Sequence, residues 1–224
     1  MKLTGAIFDF NGTLFFDSDY HNQAWNRLSY EIRNQPITIE EMNSGFHGVP
    51  NVEAIENLIP NKYTMEQKQE LSQLKEKIYR DICHEQPSLS LVEGATQLFD
   101  WFVKKEIPFT IASASIIENI EFFCDVFNLT HWIKKEDIIY DDGTYADKVE
   151  MFNDALKNIH TDKDHCLIFE DSESGVKNAI KAGFKKIIVL HYKDYNSIFS
   201  QYPEVLYHAN NFIDILNFLQ KEDK

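Results

Sequence analysis

Glycine and proline are scarce in this chain of 224 residues, at eight and six. They form no Gly/Ser linker, low-complexity tract or internal repeat, which excludes a beaded, fibrous or solenoid architecture. Cysteine is rarer still. Cys83, Cys124 and Cys166 are odd in number and far apart. They match neither a disulfide framework nor a zinc-ligand pair, so reduced thiols and a cytoplasmic location are expected. The eight histidines are scattered, without a His-Glu-x-x-His cluster. Positive charge is also short: 22 Lys+Arg against 36 Asp+Glu leave −14. That balance argues against nucleic acid and anionic membrane as partners, and a monomer is the default expectation for so acidic a chain. Apolar runs are too short to span a bilayer, and Asp9 interrupts the first one before it could act as a secretory signal. What remains is 43% hydrophobic with 17 Phe, enough to bury a full core, in one large domain or a core with a smaller insert.

Leu3–Phe10 is a continuous apolar run closed by Asp9, Asn11, Gly12 and Thr13, as in a strand buried on both faces that delivers polar groups at its carboxyl end. Pro108–Ala112, Ile138–Tyr140, Cys166–Phe169 and Lys186–Leu190 read alike. Helical periods lie between them at Leu91–Lys105, Val149–Ile159 and Ser174–Ala182, the last stopped by Gly183. Alternating short strands and helices predict an α/β fold: a doubly wound, Rossmann-like parallel sheet, residues 1–16 and 88–224. Residues 17–87 break this rhythm. Helical stripes occur at His21–Ile32 and Val52–Leu58, and a Thr64/Gln67 capping box opens a long polar helix. An inserted all-α domain is expected there.

Ligands of open parallel sheets gather beyond the carboxyl ends of the strands. Those ends carry Asp9, Asn11 and Thr13; Ser113 and Ser115; Lys148 at a helix start; and Glu170-Asp171-Ser172. A carboxylate nucleophile, acidic oxygen ligands for Mg2+, and hydroxyl and ammonium donors for phosphoryl oxygens suit phosphoryl transfer. In an acidic protein, the metal and Lys148 would supply most of the local positive charge.

These residues resemble the motifs of the haloacid dehalogenase-like (HAD) superfamily. Asp9-Phe10-Asn11-Gly12-Thr13 is similar to its D-x-D-G-T, Ile111–Ser115 to the second-motif strand, Lys148 to the third-motif lysine, and Glu170-Asp171-Ser172-x-x-Gly175 to the fourth. Tyr20–Trp25 and Gly48-Val49 resemble the cap opening and cap loop of the β-phosphoglucomutase and phosphatase branch. The resemblance implies that Asp9 becomes an aspartyl-phosphate and that Asp9, the Asn11 carbonyl, Glu170 and Asp171 bind Mg2+. It places Thr13, Ser113, Ala114 and Lys148 around the phosphoryl group. His21, Gly48, Val49, Asn51 and Lys75 fall on the cap side of a small phosphorylated metabolite.

Two positions depart from that pattern. Asn11 stands where the family has its general acid/base Asp, and an amide can transfer no proton, a help worth roughly 10²–10⁴-fold in rate. Asn51 and Ile117 stand where the mutase branch has an arginine and an asparagine for the distal phosphate. The expectation is a Mg2+-dependent phosphatase of a small monoester, slowed by Asn11. A phosphotransferase or mutase, a binding protein of weak activity, and a phosphonate-cleaving enzyme using Lys62, Lys68 or Lys75 are the alternatives. His21 either relays the protons Asn11 cannot or, more simply, hydrogen-bonds to orient the hinge.

Overall fold

The first strand, β1 (Gly5–Phe8), is buried along its whole length. It lies between β2 (Phe109–Ile111) and β3 (Cys166–Glu170), and β4 (Ile187–Leu190) and β5 (Val205–Ala209) extend the sheet beyond β3. The order is β2-β1-β3-β4-β5 and every pairing is parallel. The computed structural model describes residues 2–46, 49–191 and 197–222. Its chain forms two compact units, Met1–Phe16 with Ser90–Lys224, and Asp17–Leu89.

Asp17–Leu89 is helical: α1 (Ser18–Arg33), α2 (Ile39–Gly45), α3 (Asn51–Leu58) and α4 (Met65–His84). Ala24, Trp25, Leu28, Ile55, Leu58, Ile78 and Ile82 supply its apolar interior. The capping box at Thr64 forms in both directions: Gln67 N–H donates to the Thr64 hydroxyl, and the Gln67 side chain accepts from Thr64 N–H. A second capping box, Thr38 with Glu41, opens α2.

In the other unit, α5 (Ala95–Lys104), α6 (Ile117–Val126), α7 (Lys148–Asn158), α8 (Glu173–Ala182) and α9 (Phe212–Glu222) flank the sheet. Side chains alternate across a strand, so Phe8 and Phe169 face one way and Ile7 and Ile168 the other. Phe8 and Phe169 stack at 4.2 Å and meet Phe99, Phe102 and Phe212 from α5 and α9. Ile7 and Ile168 pack with Phe152 and Ala155 of α7 and Val176 and Ala179 of α8. Each fully buried side chain of this size contributes roughly 1.5–3 kcal/mol. Covering both faces is the doubly wound arrangement.

Several elements differ from the sequence-based expectation. Ile138–Tyr140 is not a full strand; it touches the edge of β2 through one parallel bridge, Ala112 to Ile139. No apolar run marked β5, whose residues are mostly only half-buried. Likewise α2 and α6 carried no pattern that singled them out. Among the described residues, no helix is long and apolar enough to cross a membrane.

Candidate active site

Parallel register builds the site. Phe8 pairs with Phe169, so the next residues along, Asp9 and Glu170, emerge side by side at the carboxyl ends of β1 and β3. The chain passes from β1 to β2 on one side and then crosses back to β3 on the other, so the strand order reverses beside β1, the kind of switch point where ligands of such sheets bind. Asp9 N–H donates to the Phe169 carbonyl at 2.9 Å, which anchors the Asp9 backbone, and the residue is 5% exposed.

Lys148 begins α7. Asp147 caps that helix by accepting from Val149 N–H at 2.9 Å. The Lys148 ammonium donates at 2.7 Å to Asp9 Oδ1 and at 2.7 Å to Glu170 Oε1. The other oxygen of Glu170 accepts from Asp171 N–H and from the Ser172 hydroxyl, each at 3.2 Å. Two glycines make room for these acids. A Cβ on Gly175 would strike the Glu170 carboxylate, and one on Gly12, whose φ is +79°, would strike that of Asp171.

Oxygen atoms of Asp9, Glu170 and Asp171 all lie within 4.8 Å of one another. Burial raises the Asp9 pKa above the ordinary carboxylate range, against the opposing pull of Lys148, and the Glu170 charge adds to the rise. Burial works to lower the Lys148 pKa, and the two carboxylates outweigh it, so the ammonium is held charged. One ammonium facing three carboxylates leaves net negative charge in a mostly buried site. An all-oxygen, carboxylate-rich donor set of this kind fits a hard divalent cation.

Above Asp9 the chain turns sharply: the N–H groups of Thr13, Leu14 and Phe15 all point at the Phe10 carbonyl. The Thr13 hydroxyl is buried and has no hydrogen-bond partner among the described residues. Asn11 Oδ1 accepts from the Ser115 hydroxyl at 2.6 Å and from that of Ser113 at 3.4 Å. Ser113 is 1% exposed, whereas Ala114 beside it is exposed. The structure thus brings Asp9, Asn11, Ser113, Lys148 and Glu170 together, with Asp171 beside them. The bond from Ser115 to Asn11 was not anticipated. Its signal was the Ser-x-Ser spacing at the end of β2.

The candidates in the helical unit form a group of their own. Lys75, 2% exposed, donates at 2.8 Å to Glu76 and at 2.7 Å to His21 Nδ1. An ammonium can only donate, so Nδ1 accepts and the ring proton sits on Nε2, 3.3 Å from Asp17. His21 stacks on Tyr79 at 4.0 Å, and the Tyr79 hydroxyl donates to Asp17 at 2.7 Å. Asn51 donates to Glu76 at 2.7 Å and to Ser72 at 3.1 Å. Asp17, Glu76 and Tyr79 had no sequence signal. Lys62 donates to the Ile32 carbonyl and Lys68 pairs with Glu56, both nearer the surface than Lys75. Val49 is half-buried; Gly48 lies outside the described residues.

Comparison with known proteins decides the family. The model of the haloacid dehalogenase-like hydrolases matches residues 6–189. The chain belongs to that family. β-Phosphoglucomutase of Bacillus subtilis (strain 168) is 23% identical over 195 residues, 81% of this chain and 80% of that protein. A HAD hydrolase of family IA, variant 3, from Entamoeba histolytica HM-1:IMSS superposes with a TM-score of 0.88 at 28% identity, covering 95% of each chain. CbbY from Rhodobacter sphaeroides, solved in complex with phosphate, has a TM-score of 0.76 at 17% identity, covering 95% and 96%. Within the HAD family, the resemblance is to the phosphoglucomutase-like branch.

Proposed function

We propose that this protein is a phosphatase of a small phosphate monoester, such as a sugar phosphate, in which Asp9 takes the phosphoryl group. The observation carrying this reading is the buried Asp9 carboxylate, held by Lys148 at 2.7 Å and flanked by Glu170 and Asp171. An Asp9 oxygen attacks phosphorus, the phosphorus–oxygen bond of the ester breaks, and the departing oxygen takes its proton from water. Water then attacks the aspartyl-phosphate, the bond to Asp9 breaks, and phosphate leaves while the spare proton passes to solvent. Lys148 and the Ser113 hydroxyl donate to the phosphoryl oxygens, as does the chain at Ala114, and the turn at Thr13 shapes the pocket floor. Asp9, the Asn11 backbone carbonyl, Glu170 and Asp171 would hold Mg2+, which supplies positive charge against the phosphoryl oxygens.

Asn11 makes turnover slow, because its carboxamide orients oxygens without moving protons. We assign the helical unit the part of the cap, with His21, Gly48, Val49, Asn51 and Lys75 choosing the non-reacting end of the substrate. His21 serves there as an orienting residue, engaged by Lys75, Asp17 and Tyr79.

A panel of sugar and nucleoside monophosphates, assayed with and without Mg2+, tests the reading. Asp9→Asn should abolish phosphate release while the circular dichroism spectrum stays that of the parent. Asn11→Asp should raise turnover by about tenfold or more. Release that survives Asp9→Asn removes Asp9 as nucleophile. The amide at position 11 also favours a second reading, transfer of the long-lived phosphoryl group to a sugar phosphate. Appearance of an isomer in place of free phosphate would establish it.

A further inference from the structure

Two nitrogen donors of the helical unit converge on one oxygen. Glu76 Oε1 accepts from Asn51 Nδ2 at 2.7 Å and from the Lys75 ammonium at 2.8 Å. Asn51 Nδ2 also donates to the Ser72 hydroxyl at 3.1 Å, so both of its hydrogens are engaged and Oδ1 is the group it can turn to a ligand. Lys75 donates as well to His21 Nδ1 at 2.7 Å and lies over the Trp25 ring, 5.3 Å from its centroid. Against burial, the Lys75 charge and these donors keep Glu76 ionised at neutral pH. Glu76 and Lys75 are 7% and 2% exposed, whereas Asn51 is half-buried and is the more accessible member. We infer that Glu76 is a specificity-determining residue: by engaging the donors of Asn51 and Lys75 it presents the Asn51 carbonyl oxygen to the substrate, which selects a monoester whose non-reacting end carries a hydroxyl and rejects one that ends in a second anion.

This selection names the substrate class of the phosphatase reading, and it rests on that reading for the place of Asn51 against the substrate. An acceptor oxygen backed by a buried carboxylate is complementary to an O–H group and repels phosphate or carboxylate. Repulsion of that kind discriminates between ligands as effectively as a new attractive contact. Transfer to a sugar phosphate would bring a second anion to the same group, so isomer formation in place of phosphate release would overturn the inference.

Binding to Asp9→Asn, measured by calorimetry with Mg2+ present, tests it without turnover. Three ligands share one carbon skeleton: glucitol 6-phosphate ends in a hydroxyl, 6-phosphogluconate in a carboxylate, and glucitol 1,6-bisphosphate in a second phosphate. Glucitol 6-phosphate should bind at least about tenfold more tightly than either of the others. Adding Glu76→Gln should shrink that preference to within about threefold, a change in ratio that mere loosening of the helical unit would not produce. Adding Asn51→Ala instead, which keeps the Lys75–Glu76 pair, should weaken glucitol 6-phosphate roughly five- to tenfold and 6-phosphogluconate less than about twofold.

Equal affinities, tighter binding of an anionic end, or no binding of glucitol 6-phosphate would overturn the inference. So would an equal loss for all three ligands in Asn51→Ala, which decides the matter if Glu76→Gln does not fold. Phosphate release that survives Asp9→Asn overturns the phosphatase reading, and the ratio of affinities then judges Glu76 by itself.

Discussion

Glu76 shows how strongly neighbours govern a single side chain. Burial pushes its carboxyl up, but Lys75, His21 and the Asn51 donor outweigh that and hold it at about 2, against an ordinary 4.5. A depressed carboxyl stabilises the fold at pH values above its unfolded pKa, and the contribution is lost as pH falls from about 4.5 to about 2. The shift corresponds to on the order of 3 kcal/mol, and removing the charge leaves Lys75 buried without its partner. Glu76→Gln should therefore destabilise the protein by about that amount at pH 7, with the difference from the parent closing as pH falls to 2. Denaturant midpoints of the two proteins across this range check it; a pH-independent difference would remove the ion pair as the cause. No sequence pattern announces this group. Tyr79 and Asp17 meet across 62 positions, and Ser115 and Asn11 across 104, whereas each residue of Asp9-x-Asn11-Gly12-Thr13 is visible by type and spacing alone. Motifs display residues that are local in the chain; partners brought together by folding leave no such trace.

Elements were readable where their end signals are chemical. The Thr64/Gln67 box and the left-handed Gly183, at φ +96°, bound α4 and α8 as their residue types predict. Buried strands declared themselves by unbroken apolar runs, which is why β1 to β4 stood out. By contrast β5 is half-exposed, and α2 spans seven residues with Ile39 78% exposed, so neither presents an apolar stripe. Ile138–Tyr140 has the composition of a strand but bonds to β2 at one bridge only, since neighbours rather than composition complete a ladder. Capping also bears on chemistry, because Asp147 starts the helix whose first residue is Lys148. Its two oxygens accept from Val149 N–H and from Lys181 at 2.9 and 2.8 Å. Asp147→Ala should cost about 1 kcal/mol of stability and weaken phosphate release through a loosened Lys148. Asp147→Asn, which keeps a cap oxygen, should recover most of both. Equal loss in the two variants, by thermal melts and phosphate assays, would show that the charge and not the cap matters.

The chain as a whole carries −14, and it gathers three of its carboxylates at one point of the sheet. That concentration makes the α/β unit's stability depend on what neutralises it. Asp9 has a raised pKa, so in the absence of a divalent cation its protonated form favours the fold. This contribution is present below the unfolded value of 3.8 and is lost as pH rises through the raised native one. A cation binds the ionised form, and its stabilisation grows over that same window. Mg2+ at about a hundredfold above its dissociation constant should add about 2.7 kcal/mol, a rise in Tm of roughly 5–10 °C for a protein of this size. The rise should be largest above the Asp9 pKa, shrink on acidification, and be absent in Asp171→Asn. Melting curves with and without Mg2+ at several pH values measure all three. A Tm that responds equally in the parent and in Asp171→Asn would mean that Mg2+ acts on the diffuse negative surface, and the acidic cluster would lose its claim to be a metal site.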